Sequence, residues 1–174
     1  MFQIKIFGYE EAKAVMLSGW PTKIISLIKE DMPHWGTETM QHFRLQFYDV
    51  SEPCAGYTHP TPFHLGRIFH FAKKFVPEDK VLIHCKAGIS RSTAAAIGIC
   101  MLHGMSYDEA YNHIEQIRPI LAPNKLLIEY IDDHFKLQGL LYEYMEEKIK
   151  FPNLLGWKKT KGGILLPHDK RLKP

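Results

Sequence analysis

The sequence predicts an α/β protein with a central, mostly parallel sheet of roughly four to five strands and helices on both faces. Two observations favour this class, and a third, the chain length, indicates a single domain. Short β-rich runs alternate with segments of helical periodicity. Two of the runs, Thr22–Ile28 and Lys80–His84, are apolar almost throughout, as strands covered on both faces are. The length of 174 residues suits one domain.

The predicted strands, in chain order, are Phe2–Phe7, Thr22–Ile28, Gln41–Tyr48 and Lys80–His84. The third differs from the others because its apolar residues Phe43, Leu45 and Phe47 alternate with polar ones, which predicts a half-buried strand. Residues 30–39 read as a loop before it. Residues 51–62, rich in Pro, Gly, Ser and Thr, predict a second loop after it.

The predicted helices are Tyr9–Leu17, Phe63–Phe75, Ser92–Leu102, Ser106 to about Arg118, and Asn124 to about Lys150. Pro77 ends the second helix. Ser106 and Glu109 form a capping box that opens the fourth, and Pro119 follows its end. We expect the last helix to be interrupted near Gly139, and we expect little structure after Phe151.

Charge divides the chain into two parts. Residues 1–147 hold 14 Lys/Arg and 18 Asp/Glu, whereas residues 148–174 hold eight Lys/Arg and one acid, Asp169. We therefore predict a single domain at 1–150 and a basic extension at 151–174. The extension is either solvated or a tether to an anionic partner such as nucleic acid, a membrane surface or an acidic protein.

Several protein classes are disfavoured. No run approaches the 18 apolar residues of a membrane helix, and the N-terminus lacks the basic start of a signal peptide. Three scattered cysteines without a CxxC pair do not make a disulfide framework. We therefore expect a soluble, cytoplasmic protein. Four potential metal ligands, Cys54, His59, His64 and His70, have no recognised zinc spacing. We therefore expect neither a metal nor another cofactor.

The decisive stretch, His84 to Ser92, lies between a predicted strand and a predicted helix. Five residues separate Cys85 from Arg91, enough for a loop that curls into a cup with inward amides. Gly88 permits the required backbone. A cup at a helix N-terminus favours an anion, because unpaired N–H groups and the helix dipole make its electrostatic potential positive. The same positive potential favours the thiolate form of Cys85. Arg91 offers a planar fork that matches two phosphoryl oxygens.

These residues resemble the signature of the protein tyrosine phosphatase superfamily, His-Cys-x5-Arg-Ser/Thr. The variant HCKAGISRS is most similar to the small dual-specificity phosphatases and their prokaryotic or viral relatives. The similarity extends from about Lys23 to His134, through the Ala-rich helix after Ser92, the MSYDEA segment, Arg118-Pro119 and Pro123-Asn124. The resemblance implies the cysteine phosphatase fold, with Cys85 as nucleophile.

The resemblance also implies the other site residues. The phosphate-binding loop consists of Lys86, Ala87, Gly88, Ile89, Ser90 and Arg91. Ser92 hydrogen-bonds the Cys85 sulfur and helps it to leave, and His84 orients the loop rather than acting as an acid. In this family the general acid is an Asp on a separate loop some thirty to forty residues earlier, and Asp49 lies 36 residues before Cys85. Glu52 and then Asp31 are the alternatives.

Four further residues are open to more than one interpretation. Arg118 matches an Arg that borders the active site in some relatives, and it binds either a second anion or only a helix C-terminus. Asn124 either caps its helix or also braces the phosphate loop, and we favour capping alone. Cys54, in the acid loop, is an ordinary loop cysteine or a disulfide partner for Cys85 under oxidation. Cys100 reads as a small buried hydrophobe.

The predicted reaction is hydrolysis of phosphate monoesters, with phosphotyrosine and also phosphoserine or phosphothreonine in proteins as substrates. An RNA 5′-phosphatase or a phosphoinositide phosphatase with the same chemistry is the alternative. Phosphoinositide phosphatases of the superfamily share Lys86 but carry a further cation where this chain has Ile89, which argues against that substrate. A rhodanese-like sulfurtransferase and a phosphate-binding module without turnover are less favoured, because Asp49 and Ser92 are present.

Overall fold

The computed structural model of the chain describes residues 1–29 and 41–149 in full, together with the backbone of residues 158–160 and 163–165. The alternative acid Asp31, the predicted loop at 30–39 and most of the basic extension lie outside the described residues. Among the described residues, no helix is long and apolar enough to cross a membrane.

A four-stranded parallel sheet forms the centre of the fold. Its strands are β1 (Gln3–Phe7), β2 (Lys23–Ile28), β3 (Gln41–Gln46) and β4 (Lys80–His84). Their order across the sheet is β1-β4-β2-β3, and every neighbouring pair is parallel. The apolar runs become the two inner strands, as buried parallel strands should, and the alternating run becomes the edge strand β3. The predicted sheet is therefore confirmed.

Six helices surround this sheet. They are α1 (Tyr9–Leu17), α2 (Pro62–Ala72), α3 (Arg91–Leu102), α4 (Tyr107–Ile117), α5 (Lys125–Phe135) and α6 (Leu140–Lys148). Helix α1 packs Ala12 and Met16 against Ile24 and Leu82 on one face. Helices α2 to α6 build the larger core on the opposite face. Helices on both faces were predicted, although five of the six lie on the same face.

The break between α5 and α6 has a specific cause. Lys136 adopts left-handed backbone angles with φ of 56°, and Gly139 follows with φ of 94°. The buried carboxylate of Asp132 accepts hydrogen bonds from the backbone N–H of Gly139 (2.7 Å) and of Leu141 (2.9 Å). These bonds satisfy donors at the start of α6 that the turn leaves unpaired, so the interruption expected near Gly139 is a capped turn.

The prediction of little structure after Phe151 is wrong for one short element. Strands β5 (Lys158–Thr160) and β6 (Gly163–Leu165) pair antiparallel as a separate two-stranded sheet. The two residues between these strands in the sequence are Lys161 and Gly162. The weak hydrophobic periodicity after Phe151 gave no indication of paired strands.

Candidate active site

The loop of residues 85–91 joins the end of β4 to the start of α3, and its carbonyl groups are held from outside. Five consecutive carbonyls accept hydrogen bonds: Lys86 from Tyr9 N (3.1 Å), Ala87 and Gly88 from Arg118 (3.4 and 3.1 Å), Ile89 from Ala122 N (3.0 Å) and Ser90 from Asn124 N (3.2 Å). In a trans peptide the N–H points away from the preceding C=O. The amides of residues 87–91 are therefore turned toward the inside of the loop.

Gly88 is required by the space behind this cup. Its φ is +71°, a conformation that side chains rarely adopt. A Cβ atom at this position would lie 2.3 Å from the carbonyl carbon of Phe7 and 2.4 Å from the backbone nitrogen of Gly8. Because both neighbours are backbone atoms at the end of β1, no rotamer change would relieve the overlap.

The nucleophile predicted at Cys85 lies at the floor of the cup and is fully buried. Its sulfur accepts a hydrogen bond from the backbone N–H of Gly88 at 3.2 Å. The Ser92 hydroxyl oxygen, in the first turn of α3, lies 3.3 Å from the same sulfur. The structure thus brings together the thiol, an inward amide and the hydroxyl group that the sequence placed near it.

Arg91 begins α3 and is almost completely buried. One terminal nitrogen donates to the carbonyl oxygen of Phe47 at 2.7 Å, and Nε lies 3.5 Å from Oδ2 of Asp49. The guanidinium group is therefore fixed between the cup and the segment that follows β3. Its orientation depends on a backbone carbonyl as well as on a charge.

Asp49 is positioned at the rim of the cup by two hydrogen bonds to one oxygen. Its Oδ1 accepts from the Ser90 hydroxyl at 2.6 Å and from Nδ2 of Asn124 at 2.8 Å. The side chain keeps 33% of its surface exposed, so that it remains accessible from the rim of the cup. Glu52 is exposed, and no hydrogen bond or ion pair within the described residues joins it to the cup.

Asn124 does more than cap α5, so our preference for capping alone was wrong. Its Oδ1 accepts from the backbone N–H of Leu127 at 3.1 Å, which is the predicted cap. Its Nδ2 also donates to Asp49 and to the carbonyl oxygen of Val50 (2.9 Å), and its own N–H holds Ser90. An amide side chain has both acceptor and donor atoms, and this one uses both.

Arg118 borders the active site, and its contacts are with the cup rather than with a helix C-terminus alone. Its guanidinium group donates to the carbonyl groups of Ala87 and Gly88 on the outer side of the cup, and one nitrogen lies 3.5 Å from Oε2 of Glu11. Glu11 also accepts from the backbone N–H of Gly8 at 3.0 Å. The side chain therefore reaches from the end of α4 to the cup and to the start of α1.

His84 is buried beside Cys85 and belongs to a chain of hydrogen bonds that the sequence analysis missed. Its Nε2 contacts the hydroxyl group of Ser26, and that hydroxyl lies 2.6 Å from Nε2 of His42. Burial lowers the pKa of His84 to about 4, and the charges of neighbouring basic groups add to this effect, whereas a hydrogen bond to the Cys85 backbone opposes it. His84 is therefore neutral at pH 7, which fits an orienting role.

A weak signal for Ser26 existed in the sequence. It is the one hydroxyl in the apolar run KIISLI of β2, and a buried hydroxyl needs a partner. The outer partners of the cup had no such signal, because Tyr9 and Ala122 hold it through their backbone N–H groups, which every residue type except proline has. Contacts of this kind depend on chain crossings that residue patterns do not encode.

The remaining cysteines lie apart from the cup. Cys100 is buried in α3, and burial raises the pKa of its thiol to about 12, in line with a purely structural residue. Cys54 is exposed in the loop after Asp49, and all three cysteines are free. Residues 1–29 and 41–149 contain no group of three His, Cys, Asp or Glu side chains able to hold a metal ion.

A thiol under inward amides, a buried Arg and a carboxylate at the rim define a site of the cysteine phosphatase class. In agreement, the family model described as "Dual specificity phosphatase, catalytic domain" matches residues 25–136. The chain therefore belongs to the dual specificity phosphatase family. The cup and Asp49 both fall within the matched range, whereas β1 and α1 lie before it.

Individual relatives share only part of their length with this chain. A probable dual specificity protein phosphatase of Dictyostelium discoideum is 28% identical over 111 residues, covering 63% of this chain and 26% of that protein. Human dual specificity protein phosphatase 16 is 40% identical over 89 residues, covering 51% of this chain and 11% of that protein. The crystal structure of human DUSP28 superposes with a TM-score of 0.62 at 18% identity, covering 79% of this chain and 94% of that one.

Proposed function

We propose that this chain hydrolyses phosphate monoesters on proteins, as a protein tyrosine or dual-specificity phosphatase. The observation that carries the proposal is the outward anchoring of the five carbonyls of residues 86–90. It leaves the amides of residues 87–91 facing the Cys85 sulfur. Amides preorganised in this way stabilise phosphoryl oxygens without reorganising during the reaction.

In the first step, the Cys85 thiolate attacks phosphorus as the bond to the leaving oxygen breaks. The electron pair of that bond remains on the leaving oxygen, which takes a proton from Asp49. Arg91 stays held by its hydrogen bond to Phe47 and offers its remaining donors to two phosphoryl oxygens.

In the second step, Asp49 takes a proton from water, and the water oxygen attacks phosphorus. The sulfur–phosphorus bond breaks, its electron pair returns to Cys85, and inorganic phosphate leaves. The Ser92 hydroxyl, 3.3 Å from the sulfur, donates a hydrogen bond to the departing thiolate. His84 is assigned an orienting role beneath Cys85, and none of these steps calls for a metal ion or another cofactor.

The direct test replaces Cys85 by Ser in the full chain. We expect hydrolysis of an aryl phosphate to fall by at least about 1000-fold, because the hydroxyl is a poor nucleophile at neutral pH. Binding of inorganic phosphate should persist, because the amides and Arg91 remain. Undiminished turnover by the Cys85→Ser variant would overturn the proposal, and thiosulfate:cyanide activity in the parent chain would favour a sulfurtransferase.

The substrate within this class is also a proposal. A panel of phosphotyrosyl and phosphoseryl peptides, inositol phosphates and 5′-phosphorylated RNA would rank the candidates by kcat/KM. We expect the phosphopeptides to rank first, because Ile89 adds no second cation to the loop beside Lys86. A higher kcat/KM for inositol phosphates or RNA would replace the protein substrate by that class.

The basic extension at 151–174, with the proposed domain boundary at residue 150, is proposed to contact an anionic partner. Truncation after Lys150 should then weaken binding to RNA or to anionic vesicles and reduce its salt dependence. Unchanged binding would indicate a solvated extension. A cytoplasmic location is proposed on the free state of all three cysteines, and fractionation of the host cell would test it.

A further inference from the structure

A groove runs along the outer side of the molecule between β3 and α2. Two adjoining pockets of about 340 and 310 Å³ form it, and both are lined by Phe63 and Arg67. Leu45 and Gln46 line the end near the active site, and His70 and Lys74 line the far end. We refer to this surface as the β3–α2 groove.

The charge of the groove is opposite to that of the surrounding domain. Residues 1–147 have an excess of four acidic residues, yet neither β3 nor α2 contains Asp or Glu. Arg67 and His70 are exposed and lie one turn apart on α2, and the exposed Lys74 extends the same positive strip just beyond the end of the helix. The groove is thus a positive strip on a domain that is otherwise mildly acidic.

The groove also presents aromatic surface that the fold does not cover. The Phe63 side chain is 70% exposed. The guanidinium carbon of Arg67 lies 5.4 Å from the centre of the Phe43 ring and 6.0 Å from that of Phe63. Such stacking extends an Arg side chain across the groove and leaves its donors available to an anionic group.

The near end of the groove is linked to the active site by two contacts through the core. His64 lines it, and the His64 ring lies 5.0 Å from the ring of Phe47. The carbonyl oxygen of Phe47 in turn accepts the hydrogen bond from Arg91. From Phe63 to His70 the helical rise of α2 amounts to about 10 Å, which an extended peptide covers with about three residues.

We propose that the β3–α2 groove binds an acidic segment of the phosphoprotein substrate, a few residues away from the phosphorylated side chain. Carboxylates of that segment pair with Arg67 and Lys74, and apolar side chains pack on Phe63. This inference rests on the proposed phosphatase function and adds a preference for substrates with acidic flanking sequence. A protein segment is favoured over RNA because most of the far pocket is apolar and aromatic.

The experiment compares kcat/KM for phosphopeptides that carry three Glu residues, three Gln residues or three Lys residues four to eight positions from the phosphoresidue, on either side. The wild-type chain should prefer the Glu peptide. In the double variant Arg67→Glu/Lys74→Glu, kcat/KM for the Glu peptide should fall about tenfold, and the Lys peptide should become the better substrate. Lys13→Glu, an exposed charge reversal on α1, is the matched control and should change neither value.

A small aryl phosphate separates this inference from the proposed function. Its kcat/KM should be equal in the wild type and in the double variant, because it does not reach the groove. If the wild type fails to hydrolyse it, the proposed function fails. If hydrolysis is normal but the Glu preference is absent or survives the double variant, the groove proposal fails. Loss of 5′-phosphorylated RNA binding in the double variant, with peptides unaffected, would also overturn it in favour of RNA.

Discussion

The phosphate cup and the acid loop that faces it are held in opposite ways. The cup at residues 85–91 is buried or half-buried apart from Lys86, and its carbonyls are anchored by partners from several other parts of the chain. The loop after Asp49 is mostly exposed between residues 51 and 59. The start of this loop is held in place where Asp49 accepts hydrogen bonds from Ser90 and Asn124. Its two ends are joined by the hydrogen bond from the N–H of Tyr48 to the carbonyl of Thr58 (2.8 Å).

This difference indicates where catalysis needs rigidity. The amides must face the phosphoryl group before it arrives, because they stabilise the transition state best when they need not reorganise during the reaction. In the proposed mechanism the acid must be placed precisely only at its carboxylate, which Ser90 and Asn124 hold. Substitutions of the residues that anchor the cup should therefore lower kcat more than substitutions along the acid loop, with Asp49 itself as the exception.

The largest effect in the acid loop should come from Asp49→Asn. The amide cannot transfer a proton, so kcat for an alkyl or simple aryl phosphate should fall by about 100- to 10,000-fold. The loss should be smaller for a substrate with a good leaving group. Glu52→Gln, three residues on, is the matched control and should retain activity within about twofold. An equal loss in both variants would contradict the assignment of the acid.

Gly88→Ala should be the most damaging change in the wall of the cup. The added Cβ overlaps backbone atoms of Phe7 and Gly8, so the inward amides must move, and displacements of about 1 Å can cost about 100-fold in rate. Steady-state kinetics and thermal unfolding would measure the two consequences. Gly104→Ala is the control, because Gly104 also has positive φ but open space around it, and it should lose stability without losing kcat.

Arg118→Met should have an intermediate effect. The Met side chain keeps much of the bulk but cannot donate to the carbonyls of Ala87 and Gly88, and we expect kcat to fall about tenfold. Glu11→Gln removes the charge that pairs with Arg118 but leaves both Arg118 hydrogen bonds to the cup in place. Its effect on the activation free energy should be less than half of that of Arg118→Met. Equal losses would show that the charge pair, rather than the carbonyl contacts, matters.

The smallest effect at neutral pH concerns the protonation of His84. Its folded pKa of about 4 lies below the ordinary value of 6.5, so the unfolded chain binds more protons between these values. Stability should be unaffected above pH 6.5 and should decrease as the pH falls toward 4, by up to about 3 kcal/mol from this group. Urea unfolding at pH 7, 5.5 and 4.5 would measure the decrease.

His84→Asn provides the comparison for that measurement. The variant lacks the titrating ring, so its stability should fall less steeply over the same pH range. A ¹H–¹⁵N titration of the imidazole in the wild type gives an independent reading if the variant folds poorly. An unchanged slope, or an imidazole that titrates near 6.5, would contradict the burial argument.

Much of the fold was predictable because strands and helices follow local periodicity. Lys80–His84 and Tyr9–Leu17 have the predicted bounds, and the alternating run of β3 lies at the edge of the sheet. The site was predictable where a motif is contiguous, as around Cys85. Its supports were not, because Arg118 and Asn124 act on chain segments 30 or more residues away. Their residue types admitted several partners, and only the folded arrangement selects among them.

The anchoring of the cup has a consequence for how the protein can be divided. The first helix supports the cup in two ways: the N–H of Tyr9 binds the carbonyl of Lys86 directly, and Glu11 pairs with Arg118, which in turn holds the cup. Tyr9 and Glu11 precede the stretch that matches the family model. A fragment trimmed to residues 25–136 would keep every residue of the signature motif and yet lose part of the frame around it. Turnover therefore depends on the contact between α1 and the cup. During unfolding, turnover should be lost before most of the helical structure is lost.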